Sequence, residues 1–284
     1  MTNALQRLEN LEALASWRQE ARLRGLNVGL VPTMGNLHAG HISLIAAARK
    51  AHDLVIATLF VNPLQFGPNE DLAKYPRTFD ADCHALQAAG CDALFIPTTQ
   101  MLYPNGLQAQ TSISVPGLST LHCGKTRPGH FDGVCTVVCK LFNLVQADRA
   151  YFGLKDYQQF SILKRMVSDL NLPVALTGLP TIREPDGLAL SSRNGYLTPS
   201  QRQMAPALYR TLQQAASTIC GGNTDLRQVE NWALEQLEAE GLRPDYFTIC
   251  ERGSLVQAQT QNTPLVILAA AYLGTTRLID NLEV

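Results

Sequence analysis

Residues 31–41 read Val31-Pro32-Thr33-Met34-Gly35-Asn36-Leu37-His38-Ala39-Gly40-His41, and they join a predicted strand to a predicted helix. The apolar run at 27–31 is typical of a buried parallel strand, and the apolar residues at 42, 44, 45 and 48 have helical spacing. At such a junction, unpaired backbone N–H groups and the positive end of the helix dipole face outward. The stretch therefore predicts a binding site for an anion such as phosphate.

Two glycines and two histidines add chemistry to this junction. Gly35 and Gly40 lack a Cβ, so a ligand could approach the backbone closely. His38 and His41 are three residues apart, which places their rings on the same side of a first helical turn. We interpret the motif as a nucleotide phosphate site. A metal site is an alternative, but the neighbouring sequence offers no obvious third and fourth ligand, and each histidine could also be an ordinary surface or core residue.

Composition describes an ordinary globular protein. The chain has 284 residues, of which 46% are hydrophobic and 17% charged, and its formal net charge is −1. No global basic field indicates nucleic acid or a membrane as a partner, and no apolar run approaches the about 20 residues of a membrane span. Seven scattered cysteines without a CxxC motif favour free thiols in the cytoplasm over a disulfide framework or a zinc ribbon.

The order of apolar runs and helical patterns predicts a doubly wound, Rossmann-like parallel α/β sheet. A helix is expected over 4–24, and strands near 27–31, 53–61, 93–96, 150–152 and 174–179 alternate with helices near 42–50, 78–89, 133–146 and 157–170. Residues 97–120 look irregular. In such sheets ligands bind beyond the carboxyl ends of the strands, near the point where the strand order reverses. The loops at 32–41, 62–67, 153–159 and 181–193 are all expected there.

The pattern changes after about residue 182. Thr198-Pro199 begins a predicted helix that continues to about 220, a second helix covers 225–240, and two or three strands follow from 246 to 279. We therefore predict a nucleotide- and substrate-binding domain over 1–182 and a smaller α+β lid domain over 183–284.

Other polar positions could take part in a nucleotide site. Lys155 could donate to phosphate oxygens, and Asp156 could cap a helix or bind a ribose hydroxyl or a metal; an ordinary surface pair is the alternative. One of the two glutamines at 158 and 159 is expected to face the cleft. The loop Ser191-Ser192-Arg193-Asn194-Gly195 suits a triphosphate, although it could be a solvated turn. Asn62 and Gln65 are uncharged groups that suit a hydroxy acid, while Met34 could simply fill the core.

Together these residues resemble the pantoate–beta-alanine ligase family. The resemblance runs in order from about residue 27 to Arg277-Leu278-Ile279-Asp280-Asn281, nearly the whole chain. The HxGH element alone is shared with nucleotidylyltransferases and class I aminoacyl-tRNA synthetases, whereas the whole set is highly specific. Its motifs are Pro32-Thr33-Met34-Gly35-x-Leu37-His38-x-Gly40-His41, Phe60-Val61-Asn62-Pro63-x-Gln65-Phe66, Tyr75-Pro76-Arg77-Thr78, Arg127-Pro128-Gly129-His130-Phe131, Gly153-x-Lys155-Asp156-x-Gln158-Gln159 and Asp186-Gly187-Leu188-Ala189-x-Ser191-Ser192-Arg193-Asn194.

The resemblance implies a reaction in two steps. The carboxylate of (R)-pantoate attacks the α-phosphorus of ATP, giving pantoyl adenylate and pyrophosphate. The amine of beta-alanine then attacks the activated acyl carbon and releases AMP and pantothenate. The chain has no nucleophile elbow, and this reaction needs no covalent enzyme nucleophile.

The resemblance also implies roles for individual residues. His41 is the proton donor, and His38, Lys155 and Arg193 are the other catalytic residues. Residues that contact ATP, which binds with Mg²⁺, are Met34, Gly35, Asn36, Leu37, His38, Ala39, Gly40, His41, Gly153, Leu154, Lys155, Asp156, Ile182, Leu190, Ser191, Ser192 and Arg193. Residues that hold pantoate or beta-alanine are Met34, Asn62, Gln65 and Gln159. A homodimer in the cytoplasm is also implied, with no protein metal site.

Two positions depart from the family pattern, which often has an acid where this chain has Cys123 and Leu154. Neither position is among the residues expected to hold the phosphates, so these departures bear on loop contacts and loop gating at the site and not on the reaction. Two other functions compete with the ligase. A nucleotidyl transferase for a phosphate-bearing acceptor would need additional Lys or Arg residues, and a non-catalytic nucleotide-binding module would not need two His, a Lys and a Ser-Ser-Arg loop.

Overall fold

A computed structural model describes residues 4–68, 70–222 and 225–284. Within these residues the chain forms helices and strands in the following order: β1 Gln6–Leu8, α1 Leu11–Leu23, β2 Val28–Thr33, α2 Ala39–Ala51, β3 Leu54–Leu59, α3 Phe79–Ala88, β4 Ala93–Phe95, α4 Thr99–Leu102, α5 Cys123–Thr126, α6 His130–Val145, β5 Arg149–Gly153, α7 Tyr157–Asp169, β6 Ala175–Leu179, α8 Pro199–Met204, α9 Ala207–Cys220, α10 Leu226–Ala239, β7 Arg243–Glu251, β8 Leu265–Leu273 and β9 Thr276–Glu283.

The chain divides into two compact units. The first comprises the residues up to Ser119, Arg127–Leu154 and Gln159–Pro180, and the second comprises Thr120–Thr126, Lys155–Gln158 and Thr181–Val284. Two short segments that precede residue 180, Thr120–Thr126 and Lys155–Gln158, therefore belong to the second unit.

The first unit contains a parallel sheet, which confirms the predicted fold class. In the described residues its strand order is β1-β4-β3-β2-β5-β6. The chain runs outward from β2 through β3 to β4 and then returns to the other side of β2 with β5 and β6. The strand order thus reverses between β2 and β5, where Gly29 pairs with Arg149 and Leu30 with Ala150. Loops that follow β2 and β5 leave the sheet at this reversal, where α/β proteins bind ligands.

Alternate residues of β2 and β3 form the buried face of the sheet on which α2 and α3 pack. Val31 of β2 and Val55 and Ala57 of β3 project towards a core that includes Leu44, Ile45 and Ala48 of α2 and Leu86 of α3. All of these side chains are buried. This packing anchors α2 on the sheet and leaves its first turn at the carboxyl end of β2.

The second unit is a smaller α+β unit, as the C-terminal pattern predicts. Strands β7, β8 and β9 form an antiparallel sheet in that order. Helices α9 and α10 pack on it through small and aliphatic side chains, which include Leu212, Ala215, Ala233 and Leu237.

Three predictions of local structure are wrong in part. The helix expected over 4–24 begins only at Leu11, because residues 6–8 pair with β4 and the Asn10 side chain caps α1 by accepting from Ala13 N at 2.8 Å. The helix expected from Thr198-Pro199 to about 220 is two helices, α8 and α9, with Pro206 at the break. The segment 97–120, expected to be irregular, contains α4 and a short 3-10 helix at Leu118–Thr120.

Candidate functional site

The turn between β2 and α2 has an unusual backbone. Gly35 and Asn36 both have positive φ, +84° and +51°, which only a glycine adopts without strain and which asparagine tolerates. The buried Asp82 carboxylate of α3 fixes this turn: it accepts hydrogen bonds from Asn36 N at 2.9 Å and Leu37 N at 2.8 Å. An added Cβ on Gly35 would lie 3.1 Å from the same carboxylate. The turn therefore holds a defined shape before any ligand binds.

The two predicted histidines cap α2. His38 is the N-cap residue, and its Nδ1 accepts from Gly40 N at 3.1 Å, while Nδ1 of His41 accepts from His38 N at 3.3 Å. The ring centroids lie 4.1 Å apart. Because a backbone N–H can only donate, both Nδ1 atoms must be acceptors, so the neutral rings carry their protons on Nε2. Each imidazole is thus a donor through Nε2.

The first turn of α2 has the features of an anion site. It contains no acidic residue, and Ala39 at its start is exposed while both histidines are half-buried. An added Cβ on Gly40 would lie 2.9 Å from the His38 ring, so the capping geometry of His38 depends on glycine at that position. The helix dipole, its N-terminal N–H groups and two Nε2 donors together favour negative charge here.

The segment after β5 carries the next group of predicted residues. Gly153 ends β5 at the same edge of the sheet as the turn after β2, and Leu154 begins a short 3-10 helix, Leu154–Asp156. Lys155 and Asp156 belong to the second unit, where the Lys155 Nζ lies 3.8 Å from the Asp156 carboxylate. The Lys155 carbonyl accepts from Asn281 Nδ2 at 2.9 Å, which fixes the backbone of the lysine.

Three of the residues predicted to hold the hydroxy acid are in contact. Gln65 Nε2 donates to Met34 Sδ at 3.0 Å, and Gln65 Oε1 accepts from Asn62 Nδ2 at 3.1 Å. The amide of Gln65 is therefore oriented, with its N–H₂ group on a weak sulfur acceptor that a better acceptor could replace. Gln159 is half-buried in the first turns of α7.

Asn62 has a supporting position in this group. It is 1% exposed, and besides Gln65 it donates to Gly133 O at 3.1 Å and accepts from Tyr103 OH at 2.8 Å and Leu64 N at 3.3 Å. Burial raises the pKa of Tyr103, which keeps the phenol protonated as a donor. Asn62 consequently fixes the turn that carries Gln65.

The predicted site residues between 182 and 193 lie on one hairpin and on the short helix that follows it. Leu190 N donates to Ile182 O at 2.9 Å, and Arg183 pairs with Ala189. Ser191 caps the following 3-10 helix, Ser192–Tyr196, by accepting from Arg193 N at 3.3 Å. The Ile182 side chain is 38% exposed. The second unit thus brings Ile182, Leu190, Ser191, Ser192 and Arg193 into one segment.

Gln158 differs from Gln159. It is 5% exposed, and its amide donates to Leu121 O at 2.8 Å and accepts from Cys123 N at 3.1 Å. Gln158 therefore has a structural role, and of the two glutamines Gln159 is the candidate for a ligand contact.

Sequence reasoning missed Asp82, which fixes the turn after β2, and Tyr103, which supports Asn62. An acid in the first turn of an α-helix is a common pattern, and nothing local indicates that Asp82 is buried. The described residues contain no group of three or more His, Cys, Asp or Glu side chains that could hold a metal ion. In the same part of the chain, no helix is both long and apolar enough to cross a membrane.

A parallel sheet with reversed strand order, and a helix N-terminus with paired imidazole donors at that reversal, define a class: doubly wound α/β proteins built to bind nucleotide phosphates. The family model described as pantoate-beta-alanine ligase matches residues 6–283. The chain belongs to the pantoate–beta-alanine ligase family.

Similar proteins extend over almost the whole chain. A pantothenate synthetase of Pseudomonas putida is 56% identical over 262 residues, 92% of this chain and 91% of the relative. Another, of Pseudomonas savastanoi pv. phaseolicola, is 52% identical over 281 residues, 99% and 98% of the two chains. The crystal structure of pantothenate synthetase from Thermus thermophilus has a TM-score of 0.91 at 43% identity, covering 98% of this chain and 99% of that one. The ligase of Francisella tularensis, complexed with beta-gamma ATP and beta-alanine, has a TM-score of 0.82 at 34% identity, covering 99% and 98%.

Proposed function

We propose that this chain condenses pantoate with beta-alanine at the expense of ATP, through an acyl adenylate. The observation that carries the proposal is the first turn of α2, where His38 and His41 both present Nε2 as a donor beside the helix N-terminus. Membership of the ligase family supports the substrates. The Francisella relative, whose structure is a complex with beta-gamma ATP and beta-alanine, adds support for ATP and beta-alanine as substrates.

In the first step a carboxylate oxygen of pantoate attacks the α-phosphorus of ATP. The bond between that phosphorus and the bridging oxygen breaks, and pyrophosphate leaves. A free carboxylate is a poor acyl donor, and adenylation supplies AMP as the leaving group for the second step. There the neutral amine of beta-alanine attacks the acyl carbon, the C–O bond to AMP breaks, and the amine proton passes to solvent or to a nearby base.

Charge accumulates on phosphate oxygens during adenylation, and the first turn of α2 is suited to stabilise it. We assign His41 as the proton donor and His38 as the second donor, at the positive end of the α2 dipole. Met34, Gly35, Asn36, Leu37 and Gly40 would line the nucleotide along the turn. Because Asp82 holds this turn in place, little reorganisation is needed when ATP binds.

Pantoate is assigned to the uncharged group beside Met34. The amide of Gln65 can donate to a hydroxyl or carboxylate oxygen by leaving the Met34 sulfur, and Gln159 would supply a second amide. Asn62 acts through Gln65, because its own polar atoms are already in hydrogen bonds within the fold. A pocket without charges selects a small hydroxy acid over a phosphate-bearing acceptor.

The second unit is assigned to the rest of the nucleotide. Lys155 and Arg193 would neutralise the phosphates, with Ser191 and Ser192 as hydroxyl donors, while Asp156 lines the nucleotide and Ile182 and Leu190 lie against the adenine. Gly153 and Leu154 of the first unit would also line the nucleotide. We assign residues 1–182 to ATP and pantoate binding and residues 183–284 to a lid. ATP would enter as its Mg²⁺ complex, since Mg²⁺ commonly binds through substrate phosphates and needs few protein ligands.

The proposal also includes the cellular location and the oligomeric state of the enzyme. A cytoplasmic location is supported by seven free cysteines, six of which are buried. A homodimer is supported by the family resemblance.

Exchange of labelled pyrophosphate into ATP tests the proposed function. The wild-type protein should catalyse this exchange with pantoate alone, because the first step is reversible without beta-alanine. A control reaction lacking pantoate should show none. Absence of pantoate-dependent exchange would exclude the ligase function. It would favour a different nucleotidyl transferase or a non-catalytic nucleotide-binding module.

A further inference from the structure

A network of three polar side chains surrounds the backbone of Gln65. His130 Nδ1 lies 2.7 Å from the Gln65 carbonyl oxygen, and Arg127 NH2 donates to the same oxygen at 3.2 Å. Arg127 also lies 2.9 Å from His130 Nε2 through NH1 and forms two 2.6 Å hydrogen bonds to the Glu70 carboxylate. This network is separate from the side-chain contacts of Gln65 with Met34 and Asn62.

Local sequence explains why Arg127 and His130 lie side by side. In Arg127-Pro128-Gly129-His130, the His130 N–H donates to Arg127 O at 3.1 Å, and Gly129 has a φ of +79°. Proline followed by a residue with positive φ is typical of a type II turn, which brings its first and fourth residues together. The turn leads directly into α6, so both side chains extend from a fixed base.

Donor and acceptor chemistry fixes the protonation of His130. A guanidinium has only donors, so Nε2 of His130 must accept from Arg127. A carbonyl oxygen only accepts, so Nδ1 must carry a hydrogen and donate to Gln65. Both requirements are met by a neutral imidazole with its proton on Nδ1, the tautomer opposite to that of His38 and His41.

The geometry points to Glu70, Arg127 and His130 as positioning residues for substrate recognition by Gln65. This inference rests on the proposed function, in which Gln65 holds pantoate. Two donors converge on the carbonyl of Gln65, the last residue of the 3-10 helix Pro63–Gln65. They fix the backbone from which the Gln65 amide projects, while the Glu70 carboxylate neutralises and orients Arg127. The network therefore acts on pantoate through Gln65.

The inference predicts a selective defect in variants of the network. His130→Leu removes the donor to Gln65 O, and the pantoate KM in the exchange assay should rise about tenfold or more, because small misplacements of a binding group are costly. The ATP KM should stay within about twofold, since the α2 turn is unchanged. His130→Asn places an amide N–H near the position of Nδ1 and should restore much of the pantoate affinity. Arg127→Lys, which keeps the charge beside Glu70 but loses the planar fork, should shift the pantoate KM in the same direction as His130→Leu.

A double variant tests whether His130 acts through Gln65. Interactions that share one path are non-additive, so in a Gln65→Ala background His130→Leu should change the pantoate KM by less than about twofold. His84→Leu, the same substitution at an exposed histidine, is the matched control and should leave both KM values unchanged. If His130→Leu does not fold, Arg127→Lys, alone and in the Gln65→Ala background, provides the same comparison.

Two results would overturn the positioning role in an active wild-type enzyme. One is a parallel change of the pantoate and ATP KM values together with lost thermal stability, which a merely structural role would produce. The other is full additivity of the Gln65 and His130 substitutions. A wild-type protein without any pantoate-dependent exchange would instead overturn the proposed function and the positioning role with it.

Discussion

The Asp82 carboxylate lies 2.8 Å from the Leu37 backbone nitrogen and connects α3 to the turn that precedes the candidate phosphate site. Thr78 Oγ1 donates to the same carboxylate oxygen, Oδ1, at 3.1 Å, and the other oxygen, Oδ2, accepts from Asn36 N at 2.9 Å. A buried carboxylate thus satisfies backbone donors that no strand or helix pairs. The site's geometry depends on a residue more than forty positions away from it in the chain.

Asp82→Ala should release this turn. Two backbone N–H groups would lose their acceptor, and the first turn of α2 would no longer be fixed relative to the sheet. We expect kcat/KM for ATP to fall about 10²-fold, the scale associated with misplacement of catalytic groups by about 1 Å. Steady-state kinetics with varied ATP measure this, and a circular dichroism spectrum checks the fold. An unchanged kcat/KM in a folded variant would show that Asp82 does not position the site.

His41→Ala should lower kcat by about 10²-fold or more, because it removes the assigned proton donor and an electrostatic contact to the transferring phosphate. It also removes the acceptor for His38 N. His84→Ala serves as the matched control at an exposed histidine. A near-normal kcat in the His41 variant would remove this residue from the mechanism.

Lys155→Ala should act mainly on nucleotide binding. The loss of one charge-assisted contact, worth roughly 1.5–3 kcal/mol, predicts an ATP KM about tenfold or more above that of the wild type. The backbone at this position is held by Asn281, so the substitution should leave the segment in place. Initial rates at varied ATP and saturating pantoate give the comparison. If both the ATP KM and kcat were unchanged, the assignment of Lys155 to the phosphates would be refuted.

The parallel sheet and the junction at 31–41 could be predicted because their signals are local. A short apolar run, two glycines and a helical repeat all lie close together in the chain, and the structure places β2 and α2 there. Strand β1 could not be found in this way. Its three residues gain their conformation from pairing with β4, almost ninety positions later.

The structure differs from the sequence-based predictions at two further places, for different physical reasons. The break between α8 and α9 has a local signal in Pro206, which lacks the backbone N–H that a continuous helix needs. The supporting position of Asn62 has no such signal, because its burial depends on Tyr103 and Gly133 from distant elements. Sequence can thus identify polar residues near a strand end as site candidates. Tertiary contacts are needed to tell a residue that contacts the ligand from one that supports such a residue.

The Glu70–Arg127 pair should make stability depend on acid pH. Burial acts to raise the pKa of Glu70, but the hydrogen bonds and charge of Arg127 together leave that pKa below its ordinary value. A carboxyl with a lowered folded-state pKa stabilises the fold above its unfolded-state pKa, about 4.3 for Glu, and loses this contribution as the pH falls through the folded-state value. Wild-type stability should therefore decrease more steeply below about pH 5 than that of Glu70→Gln.

Urea unfolding at several pH values measures this difference. Glu20→Gln is the control, because the ion pair of Glu20 with Arg24 is exposed and is expected to contribute little to stability. The prediction would be contradicted if the free energy of unfolding fell equally with decreasing pH in the wild type and in Glu70→Gln.

Arg183 and Asp280 should be important for the stability of the second unit. They form two hydrogen bonds of 2.5 and 2.8 Å, the Asp280 side chain is 3% exposed, and the Arg183 guanidinium lies 3.5 Å from the centroid of the Tyr209 ring. Asp280→Ala would leave a largely buried guanidinium without its carboxylate, which typically costs about 3–5 kcal/mol. Glu240→Ala, which breaks the exposed pair with Arg210, should cost less than about 1 kcal/mol. Denaturant unfolding gives both free energies, and similar values for the two variants would show that burial does not strengthen the Arg183 pair. Since Arg183 directly follows Ile182, we also expect a higher ATP KM for Asp280→Ala at temperatures where the protein remains folded.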